Sequence, residues 1–206
     1  MIAIVDYEMG NMRSVQKAFE AVGYEAVLTS DSAVIDEASH VVLPGVGAFG
    51  DCMANLQRFG LVDSLRRVIA QGKPFLGICL GLQVLFTQGE EFGVHQGLDI
   101  FKGTVKKFSF SQSNGHHLKI PHMGWNTIKP EQASPVLQGV SSDAHVYFVH
   151  SYYVEPEDSS VICTVTDYGF PFVSSVAKNN VFACQFHPEK SQQVGLHILR
   201  NFGAWH

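Results

Sequence analysis

KPFLGICLGLQ, residues 73–83, passes from a short apolar run to a helical pattern at Cys79, which stands between Gly77 and Gly81. An apolar run bounded by turn residues reads as a buried strand, and LGLQVLFTQGEE behind it reads as the helix of a βα unit. Working back toward the amino terminus, the same unit recurs. IAIVD is a strand, and Val15, Ala18, Phe19 and Val22 follow at helical spacing up to a stop at Gly23. YEAVLTS is a second strand, DSAVIDEAS a short helix and HVVLP a third strand. GVGAFG then opens a helix near Asp51, which Gly60 interrupts and Leu61, Leu65, Val68 and Ile69 continue toward Gly72. Repeated βα units predict an α/β fold with a central, mostly parallel, doubly wound sheet and helices on both faces.

From about residue 98 the signal changes to strands separated by turns: IFKGTVKKFSF, HMGWNTI, VYFVHSYYV, SVICTVT, FVSSVA and VFACQF. These predict additional antiparallel strands in the second half. SQSNGHH reads as an exposed turn. A closing helix places Val194, Ile198 and Phe202 on one face.

Composition narrows the function classes. The chain has 206 residues, 46% hydrophobic and 16% charged, enough apolar material for one domain spanning residues 1–206. The net charge is −5, and the nearest basic cluster is only Lys102, Lys106 and Lys107, so no nucleic-acid footprint is expected. MIAIVDYEMGN has no basic leader and no apolar run is long enough to span a bilayer, which predicts a cytoplasmic protein without a membrane segment. Cys52, Cys79, Cys163 and Cys184 form no CxxC and predict reduced thiols. Adjacent His116 and His117 have no second ligand pair in register, so no metal is assigned.

Three loops carry candidate chemistry. GxCxG at Gly77, Cys79 and Gly81 has the placement of a nucleophile elbow, in which small flanking residues let a strand turn sharply into a helix and hold the central side chain at the sheet's carboxyl edge. A helix amino terminus there favours thiolate over thiol, and the Leu80 NH faces an oxyanion formed at the substrate. An inert core thiol also fits Cys79, and a nucleophile needs a base. ACQFHPEKS supplies one: Pro188 biases His187 toward extended geometry, so His187 and Glu189 are expected to project together, the carboxylate fixing the imidazole tautomer. The third loop, LPGVGAFGD, matches GxGxxG at Gly45, Gly47 and Gly50, but a dinucleotide fingerprint belongs after the first strand of its unit. Its glycines better serve an approach of the Val46 NH to the elbow, completing an oxyanion hole with Leu80.

Together these residues resemble the class I glutamine amidotransferases, whose Cys, His and Glu lie on GxCxGxQ and HPE motifs, and the resemblance spans nearly the whole chain. DYEMGN (6–11), PGVGAFGD (44–51), GICLGLQ (77–83), PHMGWN (121–126), HSYYV (150–154) and QFHPEKS (185–191) are similar to the branch that serves histidine biosynthesis. GLQ in place of GHQ points the same way, while Glu8 and Leu82 stand where that branch often has Gly and Met. The resemblance implies hydrolysis of L-glutamine by Cys79, His187 and Glu189 without a cofactor. It implies that Gly47, Gln83, Glu91, His150, Ser151 and Tyr152 hold the glutamine. It also implies a heterodimeric partner, a TIM-barrel cyclase subunit that takes up the ammonia to make imidazole glycerol phosphate, docked on Asn11, Met123, Trp125, Tyr147 and Lys190. Other readings are a paralogous glutaminase feeding another synthase, such as one for surface-sugar amination, a partner-independent Cys-His-Glu hydrolase, and a nucleotide-binding module built on GVGAFG.

Overall fold

Strand β1 (Ile2–Val5) alternates its side chains between two cores, Ile2 and Ile4 into one and Ala3 and Val5 into the other, as a strand buried on both faces must. The computed structural model describes residues 1–110 and 118–206; the turn predicted at SQSNGHH, with His116 and His117, lies outside the described residues. The first half follows the predicted alternation: α1 (Met12–Ala21), β2 (Ala26–Thr29), α2 (Ser32–Glu37), β3 (His40–Gly45), α3 (Phe49–Arg58), α4 (Val62–Ala70) and β4 (Phe75–Cys79). Gly23, at φ +92°, stops α1, and Gly60, at φ +68°, separates α3 from α4. Helix α3 starts at Phe49, two residues before the expected Asp51. The second half comprises α5 (Leu80–Gln83), β5 (Phe86–Gly89), β6 (His95–Gln96), β7 (Phe101–Lys107), β8 (His122–Thr127), β9 (Lys129–Pro130), β10 (His145–His150), β11 (Tyr152–Pro156), β12 (Ile162–Asp167), β13 (Pro171–Lys178), β14 (Val181–Cys184) and α6 (Gln192–Ala204).

The main sheet has the order β2-β1-β3-β4-β14-β13-β11-β7-β5-β6, with β12 and β9 branching from β13. From β2 to β14 every pair is parallel; β13 then reverses the direction, and the sheet continues mostly antiparallel. Helices cover both faces of the parallel part. Phe19 of α1 and Ile198, Leu199 and Phe202 of α6 pack on one side; Ile35, Leu56, Leu65 and Val68 from α2, α3 and α4 pack on the other.

Two elements depart from the sequence reading. LGLQVLFTQGEE is one helical turn followed by a strand, and not a full helix. Residues 80–86 are buried on every side, so no polar stripe favours a surface helix. The backbone NH groups of Leu98, Ile100 and Phe101 also take the carbonyls of Val84 and Leu85, at 2.7, 2.8 and 3.0 Å, that a longer helix would have used. VYFVHSYYV likewise splits at Ser151. Strand β11 stays in the main sheet beside β7 and β13, whereas β10 leaves it to form an antiparallel ribbon with β8. On β8 alternation buries His122 and turns Met123 and Trp125 outward, 62% and 46% exposed.

Candidate active site

The carboxyl ends of β3, β4 and β14 meet at one edge of the sheet, with Gly45 paired to Cys79 and Ile78 to Cys184. Cys79 is bent there into φ 56°, ψ −109°, a left-handed region that costs a non-glycine residue about 1–3 kcal/mol. Its neighbours enforce the bend by allowing very close approach. A Cβ on Gly81 would meet the Leu43 carbonyl oxygen at 1.8 Å, and one on Gly77 would meet the Gly81 oxygen at 2.7 Å. Both glycines of GxCxG are therefore needed for the one-turn helix to sit on β3 and β4. Because α5 has only four residues, its macrodipole is small, and what the elbow offers is the NH of its first residue, Leu80, at the cavity.

A cavity of about 390 Å³ opens at this edge, lined by Val46, Gly47, Cys79, Leu80, Gln83, Glu91, Pro121, Val149, His150, Ser151, Tyr152 and His187. The structure thus gathers every residue singled out for nucleophile, base, oxyanion donors and glutamine, with Glu189 directly behind His187. The glycine of GVGAFG that reaches the cavity is Gly47, at φ +97°, following β3 and not β1. Pro121 and Val149, which stand in PHMGWN and VYFVHSYYV without a role in the sequence reading, also line it.

His187 is extended, at φ −103° and ψ 97°, as the proline after it predicts, and it projects together with Glu189, but the chain between them does not stay extended. Pro188–Lys190 form a 3-10 turn, and this turn brings His187 Nδ1 within 2.7 Å of Glu189 Oε1. The His187 backbone is pinned on both sides, its NH donating to the Tyr147 carbonyl (2.9 Å) and its carbonyl accepting from Ser191 Oγ (2.6 Å). Since Nδ1 donates to the carboxylate, Nε2 is the free nitrogen; it is buried and has no hydrogen-bond partner among the described residues. Burial alone would lower the imidazole pKa, but the Cys79 sulfur and then Glu189 outweigh it and hold the pKa above the ordinary histidine range.

The other three cysteines are buried thiols. Burial pushes Cys52 up to about 12 and Cys163 up to about 11, and Cys184 rises well above the usual thiol range. Cys79 is the one cysteine at the cavity.

The remaining predicted residues take specific positions. Glu91 Oε2 accepts from the Phe49 NH at 2.8 Å, supplying α3 with the cap that Ala48 lacks, while the residue lines the cavity. The Gln83 amide nitrogen donates to the Tyr152 carbonyl (3.2 Å) and to Gln185 Oε1 (3.0 Å). His150 Nδ1 donates to the same Tyr152 carbonyl (2.8 Å), and its Nε2 accepts from His122 Nδ1 (3.0 Å). Burial keeps both rings neutral, pushing His150 down to about 3 and His122 to about 4. Of the five residues assigned to docking, Trp125 and Tyr147 are cross-strand partners with ring centroids 6.1 Å apart, and the Lys190 ammonium lies 5.8 Å from the Tyr147 ring. Met123 faces outward on the same ribbon. Exposed Asn11 begins α1 beside the loop in which Gly10 approaches Gly45.

Among the described residues no group of three or more His, Cys, Asp or Glu side chains is placed to hold a metal ion, and no helix is long and apolar enough to cross a membrane.

A family model described as glutamine amidotransferase class-I matches residues 3–204. The chain is 58% identical to the imidazole glycerol phosphate synthase subunit HisH of Syntrophotalea carbinolica, covering 98% of this chain and 99% of the relative. It is 54% identical to the subunits of the same name from Geobacter sulfurreducens (98% and 97% covered) and Aquifex aeolicus (97% and 94%). Among solved structures it superposes on PurLQS from Thermotoga maritima with a TM-score of 0.76 at 18% identity, covering 98% and 97% of the two chains. It superposes on a solved structure described as a glutamine amidotransferase with a TM-score of 0.74 at 18% identity, covering 98% and 100%. At that identity the structural likeness speaks for the fold alone.

Proposed function

The chain belongs to the class I glutamine amidotransferase family, and from that premise we infer that it is the glutaminase subunit of imidazole glycerol phosphate synthase, hydrolysing L-glutamine to glutamate and ammonia in histidine biosynthesis. The observation that carries the reading is the convergence, in one cavity, of Cys79 at its strained elbow with His187, itself 2.7 Å from Glu189.

In this reading the Cys79 sulfur attacks the carboxamide carbon of glutamine, and His187 Nε2 carries the proton to the departing ammonia. Water then hydrolyses the γ-glutamyl thioester with His187 as base. Glu189 keeps Nδ1 protonated throughout, so Nε2 is always the nitrogen that exchanges the proton. Dividing amide hydrolysis into acylation and deacylation replaces one hard step by two easier ones, and the NH groups of Val46 and Leu80 receive the oxyanion of each. One such donor is typically worth about 10² to 10³ in rate. Glu91 pairs with the substrate ammonium, while Gly47, Gln83 and the segment His150, Ser151 and Tyr152 shape the rest of the glutamine pocket.

Ammonia released into water is captured as ammonium, so the chemistry calls for a docked acceptor. The acceptor is a TIM-barrel cyclase subunit, forming a heterodimer in the cytoplasm and seated on Asn11, Met123, Trp125, Tyr147 and Lys190. The outward pair Met123 and Trp125 leaves exposed apolar side chains on that face. Glutamate release measured with and without the cyclase subunit tests the assignment. Turnover that rises on adding the cyclase, and that disappears in Cys79→Ser, is the expected result; turnover indifferent to the cyclase would favour a partner-independent hydrolase.

A further inference from the structure

Gln185 is wholly buried, and its side chain bridges two groups of the site: Oε1 accepts from Gln83 Nε2 at 3.0 Å, and Nε2 lies 3.6 Å from Cys79 Sγ. Which end of an amide faces the sulfur is settled by the donors and acceptors around it, and here one carbonyl settles them all. The Tyr152 oxygen can only accept, so the Gln83 group 3.2 Å from it must be the amide nitrogen. That same nitrogen faces Gln185, whose oxygen must therefore point toward Gln83 and whose NH₂ must point toward Cys79. His150 Nδ1, also bound to the Tyr152 carbonyl, and His122 behind it hold the carbonyl from the ribbon side. Both branches donate into the Tyr152 carbonyl, and from Gln83 the donors run on through Gln185 to an N–H aimed at sulfur.

We propose that Gln185 is the hydrogen-bond donor that stabilises Cys79 as a thiolate and fixes its sulfur for attack, with Gln83 as the residue that positions the Gln185 amide. A thiolate is a pure acceptor, whereas a thiol already carries its own hydrogen, so a fixed N–H favours the charged nucleophile. This inference rests on Cys79 being the nucleophile of the glutaminase reading. It adds a residue that lies two positions before His187 in QFHPEKS, just past the end of β14, and reaches the sulfur from there. The other titratable groups around the sulfur are Tyr7 after β1, His150 at the end of β10, Cys184 on β14, and His187 with Glu189; Glu91 lines the same cavity. None of these is altered in the variants below.

The test is the pH dependence of Cys79 alkylation by iodoacetamide in the full chain, read by peptide mass, which separates Cys79 at the cavity from the wholly buried Cys52, Cys163 and Cys184. Gln185→Met removes the donor at nearly constant volume and is expected to move the alkylation midpoint up by about 1 pH unit, the scale of one hydrogen bond to a charged group. Gln185→Glu keeps the acceptor for Gln83 but sets a carboxylate beside the sulfur, and is expected to move the midpoint further in the same direction. Gln83→Leu frees the Gln185 amide to turn and is expected to shift it by less. A midpoint unmoved in a folded Gln185→Met protein overturns the proposal. Should that variant not fold, an unmoved midpoint in Gln83→Leu overturns it instead. The outcome is separable from that of the functional reading: a shifted midpoint in a protein that hydrolyses no glutamine would sink the glutaminase assignment and leave this inference standing.

Discussion

Two buried imidazoles, one at the strand-edge site and one at the base of the ribbon, respond to burial in opposite ways. His187 and His150 are 2% and 5% exposed, so water pays almost nothing toward the charge of either ring. His150 faces a carbonyl and a second imidazole, with no anion in contact, and burial drives it neutral. His187 has the Cys79 sulfur on one side and the Glu189 carboxylate on the other, and these overcome the same burial penalty and hold its pKa up. Histidine becomes a proton carrier or a neutral brace according to whether an anion stands next to it. In the proposed reaction the strand-edge imidazole moves a proton, while the ribbon imidazole braces the Tyr152 carbonyl beside the glutamine pocket.

The sharpest way to break that contrast is to remove the charge partners. Cys79→Ala or His187→Ala is expected to lower glutamine turnover by at least about 10⁴-fold, with the double variant no worse than either single one, because the residues act as a unit. Steady-state glutamate release by the three proteins checks this. Glu189→Gln leaves the His187 ring in place without its carboxylate and is expected to cost about 10²- to 10⁴-fold in kcat. The same substitution should lower the His187 pKa, observable as a shift of the imidazole proton signals in an NMR titration.

The ribbon pair answers to pH through stability. The folded-state pKa values of His122 and His150 lie below the unfolded value of about 6.5, so the unfolded chain binds more protons between them. Their contribution is fully present above about pH 6.5 and is lost as pH falls through the folded values near 4 and 3, at about 1–2 kcal/mol per histidine by pH 5. His187, raised in the fold, works in the opposite sense: its contribution is present at low pH and is lost as pH climbs through its folded value. Urea midpoints from pH 7 to pH 5 should therefore decline in the wild type and decline less steeply in His122→Phe. The smallest effect concerns His150 itself. His150→Gln should lower turnover by only about tenfold, the scale of one hydrogen bond to the Tyr152 carbonyl, although the ring is as deeply buried as that of His187.

The sequence revealed the two halves of the molecule unequally. Parallel strands joined by helices leave a local trace, because each strand is an apolar run and each helix carries its own stripe; hence β1 through β4 and the break at Gly60 were readable one after another. The elbow was readable too, since Gly77 and Gly81 have a steric reason to be where they are. Pairing between distant segments leaves no such trace. Nothing in VYFVHSYYV marks Ser151 as the point where β10 parts from the sheet, and the short α5 is decided by NH groups of Leu98, Ile100 and Phe101 that arrive from farther along the chain. His187 and Glu189 were paired correctly for an incomplete reason, the 3-10 turn being invisible behind the bias of Pro188. Gln185 stands in QFHPEKS two positions before His187, but its contact with the sulfur depends on the path of the chain beyond β14, which alternation does not describe.

The central claim, that Cys79 is the nucleophile of this site, is tested most directly by an electrophilic analogue of glutamine carrying a chloromethyl ketone in place of the carboxamide, followed by peptide mapping of the labelled chain. The account predicts stoichiometric labelling of Cys79, protection by excess L-glutamine, and loss of glutaminase activity in proportion to the label. Labelling of Cys52, Cys163 or Cys184 that tracks the loss of activity, or full turnover in a chain whose Cys79 is completely modified, would contradict it.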